Sequence, residues 1–176
     1  YFKGMGYYNP AVAGNSENLN ALALHRQQWL GISGAPKSFF IMGDMPLKLG
    51  KTNHGVGVVV FTESIGLWRN THVAGQYAYK HKFLGGTLSF GIQAGIVNQS
   101  FNGDSVKIPT STEFHQQIDG AIPLQTVSGM AFDLNVGISY THKKFYAGLA
   151  ITHAIEPEIE LIETAYTFKG RAFNFT

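Results

Sequence analysis

The segment Leu88-Ser89-Phe90-Gly91-Ile92-Gln93-Ala94-Gly95-Ile96-Val97-Asn98 alternates with period two. Successive side chains of an extended strand point to opposite faces. Leu88, Phe90, Ile92, Ala94 and Ile96 therefore share one face, and Ser89, Gly91, Gln93, Gly95 and Val97 share the other. The first face is apolar and the second is small and mostly polar. The run is about the 9–11 residues that a tilted strand needs to cross a bilayer.

Other stretches repeat the pattern. In Met130–Tyr140, the residues Met130, Phe132, Leu134, Val136, Ile138 and Tyr140 oppose Ala131, Asp133, Asn135, Gly137 and Ser139. An acid and an amide on the second face indicate a wet interior. Phe145, Ala147, Leu149 and Ile151 oppose Tyr146, Gly148, Ala150 and Thr152. Val73, Tyr77, Tyr79 and Phe83 oppose His72, Gln76, Lys80 and Lys82. Weaker strands are expected at Leu19–Gln28, Lys37–Leu47, Gly55–Thr62 and Glu158–Phe168. No stretch carries a useful helical stripe.

The connections support the same reading. Gly85-Gly86 fits a tight hairpin turn, since Gly tolerates positive φ. Lys143-Lys144 and Lys48–His54 are also short links, whereas Trp29–Pro36, Glu63–Thr71 and Phe101–Ser128 read as longer ones. Alternation of short and long links is the habit of an outer-membrane barrel, with short turns on the periplasmic side. The expectation is an all-β fold: an antiparallel transmembrane β-barrel of the outer-membrane type. About eight strands are visible, as part of a larger barrel. On this reading residues 1–18 form a periplasmic N-terminal segment, and residues 19–176 form strands and loops of an incomplete barrel. The chain opens at Tyr1-Phe2-Lys3 without an initiator Met and stops at Phe175-Thr176 without an obvious closing strand. A mature or partial chain is expected.

Composition narrows the classes. Charged residues are 14% of the chain, against about 25% in an average soluble domain. There are 21 Gly, 8 Tyr and 13 Phe, which suits turns and aromatic surfaces. No apolar run reaches the ~18 residues of a membrane helix, and barrel strands never build one. The net charge of +2 is scattered, so no strong nucleic-acid patch is present. Cysteine is absent, which excludes a disulfide scaffold or thiolate metal site.

Candidate chemistry is thin. His25, His54, His72, His81, His115, His142 and His153 lack metal-ligand spacing and read as turn, lumen and interface residues. Glu156, Glu158 and Glu160 would share one strand face, near Glu163. They could form a glycosidase-like carboxylate pair, but a solvated or lumen-facing strand explains them better. No G-x-S-x-G elbow appears. Gly55, Gly57, Gly91 and Gly95 lie within strands, where Gly marks a bend or a close backbone approach. Trp29, Trp68, Tyr77, Tyr79, Tyr140, Phe145 and Tyr146 sit mainly near strand ends and suit an interfacial girdle; ordinary β-propensity is the alternative. No enzyme activity, cofactor or metal is expected.

Three early motifs point to a family. They are Tyr7-Tyr8-Asn9-Pro10-Ala11-Val12-Ala13-Gly14, then Leu22–Trp29 reading L-A-L-H-R-Q-Q-W, then Gly31–Lys37 reading G-I-S-G-A-P-K. In this order they resemble the PorP/SprF family of type IX secretion system membrane proteins. Asn9, Pro10, Ala11, Ala13 and Gly14 match its N-P-A-x-A-G element. Arg26, Gln28 and Trp29 match its R-x-Q-W strand end, and Gly34, Ala35 and Pro36 its G-A-P turn. Gly85–Gly91 and Lys144–Ala150 also resemble family strands, with Ala150 where Ser is usual. Thr152–Pro157 resembles a family S-H-L-x-x-P corner, with departures at Thr152 and at Ala154-Ile155. The likeness spans roughly residues 7–157.

The resemblance implies an outer-membrane component of the secretion or gliding machinery of Bacteroidetes. It would be a scaffold or adaptor for export or surface anchoring of adhesins. Partners would be other components of that machinery in the outer membrane and periplasm, secreted cargo, and outer-membrane lipid. No catalytic residue is carried over. Asn9, Pro10, Gly14, Arg26, Gln28, Trp29, Gly34 and Pro36 are the candidate partner-binding or structural residues. Pro10 has no amide hydrogen and biases Asn9 toward extended geometry, while Gly14 can turn where other residues strain. Tyr7–Gly14 is expected to be a non-helical plug or docking element below or inside the barrel. Two rivals stand beside this reading. One is a porin with Gln76, Lys80, Gln93, Asp133 and Asn135 lining an open lumen. The other is a soluble lipocalin-like barrel with its apolar faces turned inward.

Overall fold

Tight turns and alternating strands generate one large sheet. In the computed structural model, residues 4–106, 123–162 and 165–176 are described. Eight antiparallel strands follow in the order β1 (Asn20–Gln27), β2 (Lys37–Leu49), β3 (Thr52–Ile65), β4 (Trp68–Phe83), β5 (Gly86–Asn102), β6 (Thr126–Thr141), β7 (Tyr146–Thr152) and β10 (Ala172–Phe175). A separate hairpin pairs β8 (Glu158–Ile162) with β9 (Ala165–Phe168). β1 and β10 end the large sheet and do not pair with each other, so the barrel is partial. No helix among the described residues is long and apolar enough to cross a membrane.

Burial is inverted relative to a soluble barrel. On β5, Ser89, Gln93 and Gln99 are buried, while Phe90, Ile92 and Ile96 are exposed. On β6, Asp133 is 1% exposed and its neighbour Phe132 is 55% exposed. On β4, His72, Gln76 and Lys80 are buried against exposed Val73, Tyr77 and Tyr79. The concave side is therefore polar and the convex side apolar, as a bilayer solvent requires. This reverses the inward apolar faces expected of a lipocalin-like barrel.

Several expected boundaries shift. Glu158–Phe168 is a hairpin rather than one strand, and the chain's last residues form β10, which pairs with β7. Glu63–Thr71 is not a long link, because β3 and β4 run on to a two-residue turn at Gly66-Leu67. Its polar residues continue the ladder instead of leaving it. The turn after β4 is Leu84-Gly85, both with positive φ, and Gly86 already begins β5. Tyr140 on β6 covers Gly86 and donates its hydroxyl to the Leu84 carbonyl at 3.0 Å. Of the girdle candidates, Trp68 and Tyr146 share the parity of the concave face. Trp68 instead lies against Phe101, with ring centroids 4.9 Å apart and planes tilted by 54°.

Short turns gather at one end: Gly50-Lys51, Leu84-Gly85 and His142–Phe145. The opposite end carries residues 28–36, the turn at 66–67, residues 103–106 after β5 and the corner at 153–157 after β7. The hairpin of β8 and β9 folds inward there. Ile159 is fully buried, and the Glu160 carbonyl lies where a Cβ on Gly129 would stand. Glu156 belongs to the corner before the hairpin, at φ 50, so it does not share a strand face with Glu158 and Glu160. Glu163 lies outside the described residues, as does His115.

Candidate functional site

The site is a groove crossing the concave face, filled by the N-terminal segment. Cross-strand pairing places Pro46, Gly55, Ala78, Gly91, Gly137 and Ala150 side by side from β2 to β7. These small residues, in register, leave a channel along the hydrogen-bonding direction. The next row holds Asn20, Asp44, Gly57, Gln76, Gln93 and Asn135. A polar shelf therefore borders a floor of small residues.

The segment that lies in this groove is helical in two pieces, which corrects the non-helical expectation. α1 covers Met5–Tyr8, and a 3-10 turn covers Pro10–Val12. The sequence explains the second piece. Pro10 sits at its first position, where a missing N–H costs nothing, and Asn9 caps it by accepting from the Ala11 amide at 3.0 Å. The Asn9 amide group donates outward, to the Ile138 carbonyl at 3.2 Å and toward Leu149 at 3.5 Å. One side chain thus joins the local turn to β6 and β7.

Close approach explains the floor. A Cβ on Gly91 would stand 2.1 Å from the Ala11 nitrogen, and one on Gly55 would stand 1.9 Å from the Ala13 oxygen. A Cβ on Gly137 would meet Asn9 Oδ1 at 2.1 Å. Gly14, at φ +65, presses against Gly55 and the Met45 carbonyl, so both conformation and space require glycine there.

Polar partners complete the dock. Asp44 accepts from the Gly14 amide at 2.7 Å and from Asn20 at 3.4 Å. Gln76 donates to the Gly6 carbonyl at 2.5 Å and to Gln93 at 2.6 Å. Lys80 donates to Asn15 Oδ1. Tyr7 packs edge-on to Phe40 at 5.5 Å and near His72 at 6.4 Å. Burial first, then the Tyr8, Asp133 and Glu63 charges, pushes the Tyr7 phenol up to about 12. Asn9, Pro10, Ala11 and Ala13 are all buried.

A second polar cluster ties down the corner after β7. His153 Nδ1 lies 2.9 Å from Asp133 Oδ1, and its backbone amide donates to Asn135 at 2.7 Å. His72 Nε2 stands 3.4 Å from the other Asp133 oxygen, within ion-pair range but long for a hydrogen bond. The two histidines address opposite oxygens of one carboxylate. Among the described residues no group of three or more His, Cys, Asp or Glu side chains is placed to hold a metal.

The sequence candidates divide into two places. Asn9, Pro10 and Gly14 meet in the groove. Gln28, Gly34 and Pro36 meet at the long-loop end, where the Gln28 amide donates to the Pro36 carbonyl at 3.0 Å and Gly66 donates to Gly34 at 2.8 Å. Gly34 has φ +73. Arg26 is exposed on β1, and Trp29 is 65% exposed at φ 46. Gln76, Lys80, Gln93, Asp133 and Asn135, expected to line a lumen, are buried on the concave face. Asp44, Gly137 under Asn9, and Ser139, whose hydroxyl donates toward the Ala11 carbonyl at 3.5 Å, join the site without belonging to any of the sequence motifs. A lone acid in the apolar run Phe39–Leu47 was the available signal for Asp44.

The family described as type IX secretion system membrane protein PorP/SprF matches residues 1–176. No curated protein and no solved structure gives a significant match.

Proposed function

The chain belongs to the PorP/SprF family of type IX secretion system membrane proteins, and from that premise we propose that it is a scaffold or adaptor for export or surface anchoring of adhesins. The family makes it an outer-membrane component of that machinery. The single observation favouring a scaffold over a passive porin is the filled concave face. The face that a channel would leave to water holds the N-terminal segment in its groove, with Asn9, Ala11, Ala13 and Gly14 in direct contact with the floor.

In this reading the short turns and residues 1–18 face the periplasm, because outer-membrane barrels keep short turns on that side. Asn9, Pro10 and Gly14 hold the inner segment. Gln28, Gly34 and Pro36 set the loop that carries Trp29 outward, where cargo or a surface partner would meet it. Other secretion components in the outer membrane and periplasm, and outer-membrane lipid, are the remaining partners.

Deletion of the gene tests the role. Proteins bearing type IX sorting domains are expected to leave the cell surface and accumulate inside. Unchanged export with reduced uptake of small solutes would replace the adaptor with a porin. Orientation has its own test, because the chain has no native cysteine. A Leu84→Cys variant is expected to resist an impermeant thiol reagent in intact cells, whereas Leu30→Cys is expected to react.

A further inference from the structure

We infer that the mouth at the short-turn end is a docking surface for an acidic protein segment. The inference deepens the adaptor reading and rests on it for the side of the membrane that the mouth faces. Charge along the barrel axis is its first support. Lys48, Lys51, Lys82, Lys143 and Lys144 are exposed at the short-turn end. Glu63, Asp104, Glu156, Glu158 and Glu160 lie at or near the opposite end together with Arg26, Lys37, Arg69 and Arg171, so that end is mixed in charge whereas the short-turn end is basic. Among the described residues the acids on the short-turn half of the chain path are Glu17, on the stretch entering β1, and Asp44, which is buried on the Gly14 amide. Neither makes an ion pair with the exposed lysines within the described residues.

Shape is the second support. Two adjoining clefts open at this end, with volumes of about 680 and 580 Å³, and Lys82 lines both. Lys48 and Lys51 line the first, and Lys143 lines the second. Thr52 and Asn53 add neutral polar groups to the first cleft, and Thr87 and Thr141 to the second. A chain carrying several carboxylates would find charged and neutral donors along one path.

Register decides between a protein and a lipid. Lys48 aligns with Asn53, Lys80, Ser89, Ser139 and Gly148 in one row of the concave face. Lys82 aligns with Thr87, Thr141 and Tyr146 in the next row outward. Lipid phosphates reach the convex rim, whereas Lys48 and Lys82 belong to the inner parity and the turn residues Lys51 and Lys143 line the same clefts as they do. An extended acidic segment can enter the mouth from the aqueous side. Charges so placed steer association and set specificity, and exposed pairs of this kind weaken with salt.

The test uses the chain in detergent micelles and a fluorescent oligoglutamate peptide as probe. Saturable binding is expected, lost in high salt and absent with oligoglutamine. The combined variant Lys82→Glu, Lys143→Glu, Lys144→Glu is expected to weaken binding by roughly tenfold or more. Arg69→Glu with Arg171→Glu, at the far end, is expected to leave it unchanged. Equal loss from both variants would mean attraction by net charge alone and would overturn the inference. So would the absence of peptide binding with variant-sensitive retention of phosphatidylglycerol, which would assign the lysines to lipid. A far-ultraviolet spectrum like the parent's confirms that each variant keeps its strands. If the peptide binds as expected while Leu84→Cys reacts in intact cells, the docking surface stands and the periplasmic assignment falls.

Discussion

Gly91 and Ile92 are neighbours in sequence and opposites in what they tolerate. Ile92 faces outward with other apolar side chains, where any residue of similar greasiness satisfies a bilayer. Gly91 faces inward, where the Ala11 backbone occupies the space of its missing Cβ. The convex surface is specified by chemistry repeated many times. The concave groove is specified by atomic fit at single positions. A motif such as N-P-A-x-A-G is demanding because it is read by the second kind of surface.

The largest expected effect breaks the outer face. Ile92→Arg, near the middle of β5, should destabilise the membrane-embedded protein by about 2–4 kcal/mol, read as a lower urea midpoint in lipid vesicles. Ile92→Leu should leave the midpoint nearly unchanged. An arginine tolerated there would mean that this face meets protein or water instead of lipid.

Next comes the inner face at the adjoining residue. Gly91→Ala adds one carbon, yet overpacking of this kind costs about 1–3 kcal/mol. The segment rather than the sheet should yield, because the sheet is held by its ladders on both sides of β5. Chymotryptic cleavage after Tyr7 or Tyr8 should therefore accelerate while the urea midpoint of the strands changes less. Slow cleavage, as in the parent, would show that the groove has slack that the Cβ contacts deny.

A smaller effect tests the polar shelf. Asp44→Asn keeps the shape but removes the charge from the bond to the Gly14 amide. Charge-assisted bonds contribute about 1.5–3 kcal/mol where neutral ones contribute about 0.5–1.5, so docking should weaken by about 1 kcal/mol. Cleavage should rise, but by less than in Gly91→Ala. An equal or greater rise would shift the weight of docking from the floor to the shelf.

The faces of β4 to β7 were legible in sequence because alternation depends only on neighbours along the chain. The groove was not. Gly55, Gly91 and Gly137 could be read as strand glycines, but their alignment depends on register, and register depends on where each turn falls. Placing the turn at Leu84-Gly85 rather than Gly85-Gly86 already moves each partner by two residues, so that Gly91 meets Ala78 and not Lys80; the faces survive such a slip, but the row of small residues does not. The hairpin of β8 and β9 escaped for a related reason. Glu158–Phe168 carries neither Gly nor Pro to mark a reversal. The N-terminal motif was visible through family likeness, while its 3-10 turn depends on the Asn9 cap and the Pro10 start, each a local signal within a segment too short for periodicity.

Tyr7 gives the finest test, because it asks whether the docked segment excludes water. Its phenol titrates at about 12 instead of the ordinary 10.0, chiefly through burial. Below pH 10 the phenol is neutral both docked and released, so its contribution is fully present. Between 10 and about 12 a released segment ionises while a docked one stays neutral, which favours release. Docking should therefore weaken as pH rises from about 10 and lose this contribution through about 12. The ultraviolet phenolate titration of the parent, minus that of Tyr7→Phe, should show one phenol ionising late. A difference curve centred at the ordinary value would mean that water already reaches Tyr7, and the segment would then be a loose occupant of the groove. Gly91→Ala should move the curve toward that ordinary value, because the added carbon releases the same segment that shields the phenol.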